Sequence, residues 1–238
     1  MISNISRVGL SGVNGDIVYV SEDQTTLLLS DGASGAGDDG KQVMSKLCRD
    51  TAVNFPYKTS GLLPKEYLDR LIKTINKDLI DISQKKDKLH FGTIAVAIID
   101  QDQITATTLG DSPIYFAHEN IVEELSITPR KFEWMIEQGF FDKEAYEGYI
   151  SHMHPMLWSS FNQFIPMIVP CHKIETRTTS KGDILVLCCD GISDWFEKEE
   201  LIEYIKLESL ENICDVAKKR SLEFNDYMDD QSIIVAKF

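Results

Sequence analysis

The chain has few cysteines, no long basic run and no long apolar run, and each shortage excludes something. Its five cysteines (Cys48, Cys171, Cys188, Cys189, Cys214) form no Cys-x-x-Cys pair and no zinc-type spacing. That removes a disulfide scaffold and a structural zinc site, and buried free thiols suit a reducing compartment. The longest basic run is Lys218-Lys219-Arg220 in a chain of net charge −14, which argues against a nucleic-acid surface. No window reaches the roughly 18 apolar residues of a membrane helix, and no apolar segment follows a basic start as in a signal peptide. The expectation is a cytoplasmic protein without nucleic-acid or membrane partners. The glycine-rich segment after Asp31 lacks the Gly-Lys-Ser/Thr ending of a phosphate loop, and Gly32-x-x-Gly35-x-Gly37 is not dinucleotide spacing. His152 and His154 have no second His/Cys cluster to complete a metal site, so a loop or helix-end role is expected for them.

What is present is an ordinary globular composition over 238 residues, with 43% apolar and 26% charged residues, long enough for a sizeable core. One stretch organises the rest. Ile184 to Cys189 is a continuous apolar run that ends in Asp190-Gly191, with Asp194 following. Such a run, bounded by turn residues, reads as a strand buried on both faces, with Cys188 and Cys189 pointing to opposite sides. An Asp-Gly after a strand is ordinarily only a turn, but this chain repeats the arrangement. Thr25 to Ser30 runs into Asp31-Gly32, and Gln103 to Leu109 into Gly110-Asp111-Ser112. Asp229-Asp230-Gln231 precedes a final strand over Ser232 to Phe238.

Around these ends the pattern predicts strands at Ile5 to Leu10 and Ile17 to Val20, joined by a hairpin-type Asn14-Gly15-Asp16. Helices are expected at about 38–54 and from Pro64 to about Asp87, the second with an apolar stripe through Leu68, Leu71, Ile72, Ile75, Leu79 and Ile82. Strands follow at Phe91 to Ile99, Gln103 to Leu109, Pro113 to Ala117 and Asn120 to Leu125, read together as a meander. Residues 126–170 read as an inserted flap with helices at about 130–138 and 142–150. A strand at 172–179 and helices at 197–207 and 209–223 complete the chain. Tight strand–turn–strand spacing indicates antiparallel sheets rather than a doubly wound fold.

Four acidic strand ends, at Asp31, Asp111, Asp190 and Asp230, with Asp16 and Asp194 beside them, are the candidate site. Periodicity does not say whether they converge. Converging carboxylates would raise one another's pKa unless a cation joined them. Hard divalent ions with oxygen ligands, Mg²⁺ or Mn²⁺, suit such a set, with the Gly32 carbonyl as a further ligand. Two such ions activate a water and clamp a phosphoryl group without a Ser or Cys nucleophile.

The order of motifs resembles the metal-dependent type-2C serine/threonine phosphatases in their compact bacterial form. Asp31-Gly32-Ala33-Ser34-Gly35, Phe91-Gly92-Thr93-Ile94-Ala95, Gly110-Asp111-Ser112, Gly182-Asp183 through Asp194, and Asp230-Gln231-Ser232 correspond in sequence order to that family's motifs. The resemblance spans essentially the whole chain. It implies an α+β fold, a four-layer α-β-β-α sandwich of two packed antiparallel sheets flanked by helix pairs, as a single domain over 1–238 with the flap at about 126–170. It further implies two or three Mn²⁺ or Mg²⁺ ions. Asp31 would bridge two of them, with the Gly32 carbonyl on one and Asp190 and Asp230 on the other. Asp111 and Asp194, with Asp190, would match a weaker third site, and Asp16 a carboxylate near the metal-bound waters. The implied substrate is a phosphoserine or phosphothreonine protein, and the implied partner a cognate Ser/Thr kinase. Four departures stand out. Ser11 and Gly15 replace a phosphate-binding Arg and an outer-shell Glu, Arg7 being nearby but out of register; Pro113 and Gln231 replace an Arg and an Asn. They admit a second expectation, a pseudophosphatase that binds without turnover. A third, an acidic structural domain whose Asp-Gly pairs are only turns, predicts no response to Mn²⁺.

Overall fold

The structure is a computed structural model. It describes residues 1–32, 38–86, 90, 92–125, 173–225 and 227–238. The expected flap and its helices, Ser34, Cys171, His152 and His154 lie outside the described residues.

Ten strands form two five-stranded antiparallel sheets. One sheet contains β1 (Ile2–Arg7), β10 (Gln231–Lys237), β9 (Ile184–Cys188), β6 (Ile114–His118) and β7 (Ile121–Glu124), in that order. The other contains β2 (Ile17–Val20), β3 (Thr26–Ser30), β4 (Ile94–Asp100), β5 (Gln103–Leu109) and β8 (Glu175–Thr178). Three helices, α1 (Asp38–Asn54), α2 (Tyr57–Ser60) and α3 (Pro64–Lys86), accompany the second sheet. Another three, α4 (Asp190–Ser193), α5 (Lys198–Leu207) and α6 (Leu210–Asn225), accompany the first.

Alternation along the strands builds the layers. In β9, Leu185 and Leu187 face the other sheet, whereas Ile184, Val186 and Cys188 face α4–α6. In β3 and β4, Leu27, Leu29, Ala95 and Ala97 fill the space between the sheets, while Leu28, Val96 and Ile98 meet the α3 stripe of Leu68, Leu71, Ile75 and Leu79. Because both faces of these strands are covered, they read as continuous apolar runs. The α-β-β-α order of layers is the architecture expected from the resemblance. Cys188 and Cys189 do point to opposite faces, and the four described cysteines are buried and free.

Two connections differ from the sequence-based reading. Asn14-Gly15-Asp16 is not a hairpin: β1 pairs with β10 and β2 with β3, so this segment crosses from one sheet to the other. The four strands after residue 90 are not one meander but two hairpins, β4–β5 and β6–β7, in different sheets, with Gly110-Asp111-Ser112 crossing between them. Short spacing specifies antiparallel neighbours only if the chain stays in one sheet. Here it changes sheet at the residues that carry the carboxylates. The helical turn α2 has no counterpart in the expected elements, being too short to show a period.

Candidate metal centre

Strand register brings the acidic ends together. Ile17 pairs with Ser30, so Asp16 at the start of β2 lies beside Asp31 at the end of β3. Ile94 pairs with Leu109, which puts the end of β5, and hence Asp111, at the same edge. In the other sheet Cys188 pairs with Ile233 and Leu187 with Ile114. Asp190, Asp230 and the start of β6 therefore share an edge too. β10 packs against β2 and β3, closing the two edges on each other.

Backbone and hydroxyl groups hold each carboxylate. The Asp31 carbonyl accepts the Thr93 N–H (2.8 Å), the Ser30 hydroxyl donates to the Thr93 carbonyl (2.7 Å), and Gly32 bridges to Gly92. Thr93 Oγ1 also contacts Ser112 Oγ, and Thr108 donates to the Ser112 carbonyl (2.8 Å), pinning the Asp111 turn. The Cys189 thiol donates to the Asp230 carbonyl (3.3 Å) and its sulfur accepts the Ser232 N–H (3.1 Å), which ties the end of β9 to the start of β10. Asp190 opens α4, and its carbonyl accepts the Asp194 N–H (3.0 Å), leaving Asp194 exposed at the far end of that turn. The Asp16 N–H is capped by Asn14 Oδ1 (2.9 Å), whose side-chain amide donates to Ser6 (2.8 Å).

Glycines at three of these positions are required by close approach. A Cβ on Gly32 would collide with the Lys41 carbonyl of α1, and one on Gly191 with the Asp230 carbonyl. A Cβ on Gly15 would lie 2.8 Å from the Gly32 carbonyl oxygen and 3.2 Å from Lys41 Cβ. Gly15 is therefore more than a missing carboxylate: the loop has closed onto Gly32, and its N–H donates to Asp230 Oδ2 (2.7 Å). The other Asp230 oxygen accepts the Gly9 N–H (2.7 Å).

The electrostatics follow from this crowding. Asp16 is 5% exposed, and neither of its oxygens makes a hydrogen bond of ordinary geometry; Asp190 Oδ1 is likewise buried without one. Burial, then the Asp230 charge, pushes the Asp16 carboxyl up to about 6, against nearby Ser232, Asp31 and Cys189, which hold it down. Asp31 and Asp190 each keep an edge open to solvent, yet protein surrounds them closely enough that desolvation is the largest cause raising both. The charges of Asp16, Asp190 and Asp229 add to the shift of Asp31; those of Asp111, Asp229, Asp194 and Asp16 add to that of Asp190. So all six predicted carboxylates belong to one charged cluster, with Asp111 and Asp194 on its Asp190 side.

Two members escaped sequence reasoning. Asp229 acts on both Asp31 and Asp190, and it caps the Asp230 N–H (2.9 Å). Its only signal was the doubled Asp. Lys41 is the one buried Lys or Arg among the described residues, at 5% exposure, and packs against Gly15 and Gly32. Its signal was a lysine in register with Met44, Cys48 and Ala52 on the buried stripe of α1. Arg7 does not enter the cluster: its guanidinium pairs with Asp215 of α6 at 2.6 Å. Ser11 is exposed and turns its hydroxyl to the Val13 carbonyl (3.0 Å). Gln231 donates to the Cys214 carbonyl (3.1 Å) and so serves α6 packing.

Among the described residues no three His, Cys, Asp or Glu side chains already stand as a closed metal site. The donor set nevertheless fits a hard cation. Buried carboxylate oxygens without donors are costly, and like charges at close range repel until an ion joins them.

A pH dependence follows for the metal-free protein. The folded state keeps a proton on Asp16 up to about pH 6, whereas the unfolded chain releases it near 3.8. The folded state therefore binds more protons in this window, and stability falls as pH rises from about 4 through 6. Asp16 alone contributes about 3 kcal/mol, and Asp31 and Asp190 act in the same direction. Glu175 and Glu200, held below the ordinary carboxylate value by Lys173 and by Arg220, act in the opposite sense. Thermal unfolding in EDTA should give a lower Tm at pH 7.5 than at pH 5, and Asp16→Asn should flatten the difference; a flat wild-type profile would contradict the crowding.

No family model matches the chain. The serine/threonine phosphatase stp of Listeria monocytogenes serotype 4b is 24% identical over 234 residues, covering 93% of this chain and 87% of that protein. The crystal structure of the Mycobacterium tuberculosis serine/threonine phosphatase PstP/Ppp superimposes with a TM-score of 0.75 at 19% identity, covering 100% of this chain and 98% of that one. The catalytic domain of the serine/threonine phosphatase PstP, solved with two manganese ions, gives 0.74 at 18% identity, covering 100% and 97%. The chain thus has the fold of the type-2C serine/threonine phosphatases and is related in sequence to members of that family.

Proposed function

We propose that the protein is a metal-dependent serine/threonine phosphoprotein phosphatase built as a single catalytic domain. The observation that carries this reading is the convergence of six carboxylates on one edge, with the buried Asp16 and Asp190 oxygens lacking donors. Asp31, Asp190 and Asp230, with the Gly32 carbonyl, would hold two Mn²⁺ or Mg²⁺ ions, and Asp111 and Asp194 with Asp190 a third. Bound there, the ions would supply Lewis acidity that activates water and neutralises phosphoryl charge. The chain's own part is to position and to exclude. Thr93 and Ser112 fix the turns that present Asp31 and Asp111, and Cys189 ties Asp190 to Asp230. Asp16, raised to about 6, is suited to hold or pass a proton near neutral pH. Lys41 packs its Cβ and backbone against Gly15 and Gly32, beside the loop that Ser11 leaves without an arginine. A phosphoserine or phosphothreonine protein as substrate and a cognate Ser/Thr kinase as partner belong to the same reading. No helix among the described residues is long and apolar enough to cross a membrane.

The test is hydrolysis of a phosphothreonine peptide in EDTA and after Mn²⁺ is restored. Turnover that appears only with the metal is the expected result. Stoichiometric Mn²⁺ binding without any release of phosphate would overturn the proposal.

A further inference from the structure

Tyr227-Met228-Asp229-Asp230 leads into β10, and the chain fixes this segment at several points. The Ser221 hydroxyl of α6 donates to the Tyr227 carbonyl. The Leu10 N–H donates to the Met228 carbonyl (3.0 Å), and a Cβ on Gly9 would lie 2.5 Å from that same oxygen and 2.6 Å from the Asp229 carbonyl carbon. Met228 is buried, whereas Tyr227 and Asp229 on either side of it keep part of their surface open.

Asp229 is more than a turn residue. One of its oxygens accepts the Asp230 N–H (2.9 Å), a bond that an asparagine would make equally well. Its charge, in contrast, is felt by Asp31 at the end of β3 and by Asp190 at the end of β9, so it stands at the seam between the two sheets. There it joins six other carboxylates, and the added repulsion costs stability in the metal-free fold. The Tyr227 hydroxyl donates to Asp229 and orients it. Burial, then the charges of Asp229, Asp230 and Asp190, push the phenol up to about 12, so it remains a donor at neutral pH. A second feature points to an occupant. Asp16, 5% exposed, brings two buried oxygens into the same cluster, neither making a hydrogen bond of ordinary geometry. A carboxylate that is oriented, partly open and beside such oxygens is suited to accept protons from water on a bound cation, as the outer partners of metal sites do.

We propose that Asp229 is a further acidic member of the metal centre, holding a divalent ion through that ion's bound water, and that Tyr227 is the positioning residue that orients it. The assignment rests on the metal-dependent phosphatase reading and adds to it two residues outside the six carboxylates already placed there.

Calorimetric titration with Mn²⁺ at pH 7.5 tests this without reference to turnover. Asp229→Asn keeps the cap on Asp230 and should weaken Mn²⁺ binding about tenfold at unchanged stoichiometry. Tyr227→Phe should weaken it by a smaller factor. The double variant should bind no more weakly than Asp229→Asn alone, because Tyr227 acts through Asp229. Asp229→Glu, which retains the charge, should recover part of the affinity. The Tm of Asp229→Asn in EDTA should not fall below that of the wild type. An unchanged Kd in Asp229→Asn would overturn the proposal and leave the residue a turn cap. Loss of a full Mn²⁺ equivalent would also overturn it, since Asp229 would then be a direct ligand. Additive losses in the double variant would remove Tyr227 from the pair, and a lower Tm in EDTA would assign the Asp229 carboxylate to the fold instead of the metal. A wild type that binds no Mn²⁺ would defeat the metal-centre reading itself; normal wild-type binding with no change in Asp229→Asn defeats this inference alone.

Discussion

Asp190→Asn is expected to remove metal-dependent turnover and, at the same time, to make the metal-free protein more stable. Asp190 sits where the apolar strand β9 stops, with one oxygen buried and without a donor. Desolvation and four neighbouring carboxylates, Asp111, Asp229, Asp194 and Asp16, all oppose its charge. An amide of the same shape removes one charge from that group but also removes an anionic oxygen from the proposed metal ligands. The loss in kcat/KM should be roughly a thousandfold, equivalent to about 4 kcal/mol of barrier. The Tm in EDTA should rise by a few degrees at pH 7.5, because the folded state no longer carries that repulsion. Calorimetric titration with Mn²⁺ and thermal scans with and without metal read both effects on one sample. Unchanged metal stoichiometry would remove Asp190 from the ligand set. A Tm that falls in EDTA would mean that its carboxylate stabilises the fold, contrary to the crowding described above.

The second large effect is expected from a single methyl group. Gly32→Ala places a Cβ against the backbone carbonyl of Lys41, close to the carbonyl of Gly15. Neither neighbour is a side-chain end that can swing away. Relief would require moving α1 or the Asn14-Gly15-Asp16 crossover, and both touch the acidic cluster. The cost should be roughly 4 kcal/mol, at the upper end for overpacking. That lowers Tm by on the order of 10 °C in a chain of this size, with loss of the Mn²⁺-induced shift. Gly61→Ala is the control: Gly61 has a positive φ of 69° but open space around it, so only backbone strain is paid, about 1 kcal/mol. Equal, small effects of the two substitutions would contradict the close approach at Gly32, whose own backbone is not left-handed.

The sequence by itself determined the elements and the chemistry available at their ends. Continuous apolar runs such as Ile184 to Cys189 are buried on both faces whatever they pack against, and the period of Leu68 to Leu79 makes one helical stripe. Both are properties of neighbouring residues, so they were legible. So was the supply of carboxylates, since an Asp at the end of a buried strand has few conformations open to it. Which sheet each strand joins was not legible. The Asn14-Gly15-Asp16 and Gly110-Asp111-Ser112 segments have local turn chemistry, yet they cross between sheets because the distant strands β10 and β9 take up β1 and β6. Likewise, only register put Asp16 beside Asp31 and Asp190 beside Asp230. Lys41 and Asp229 became part of the site for the same reason. Burial and charge coupling arise from residues far apart in the chain, and those neighbours exist only once the two sheets have packed.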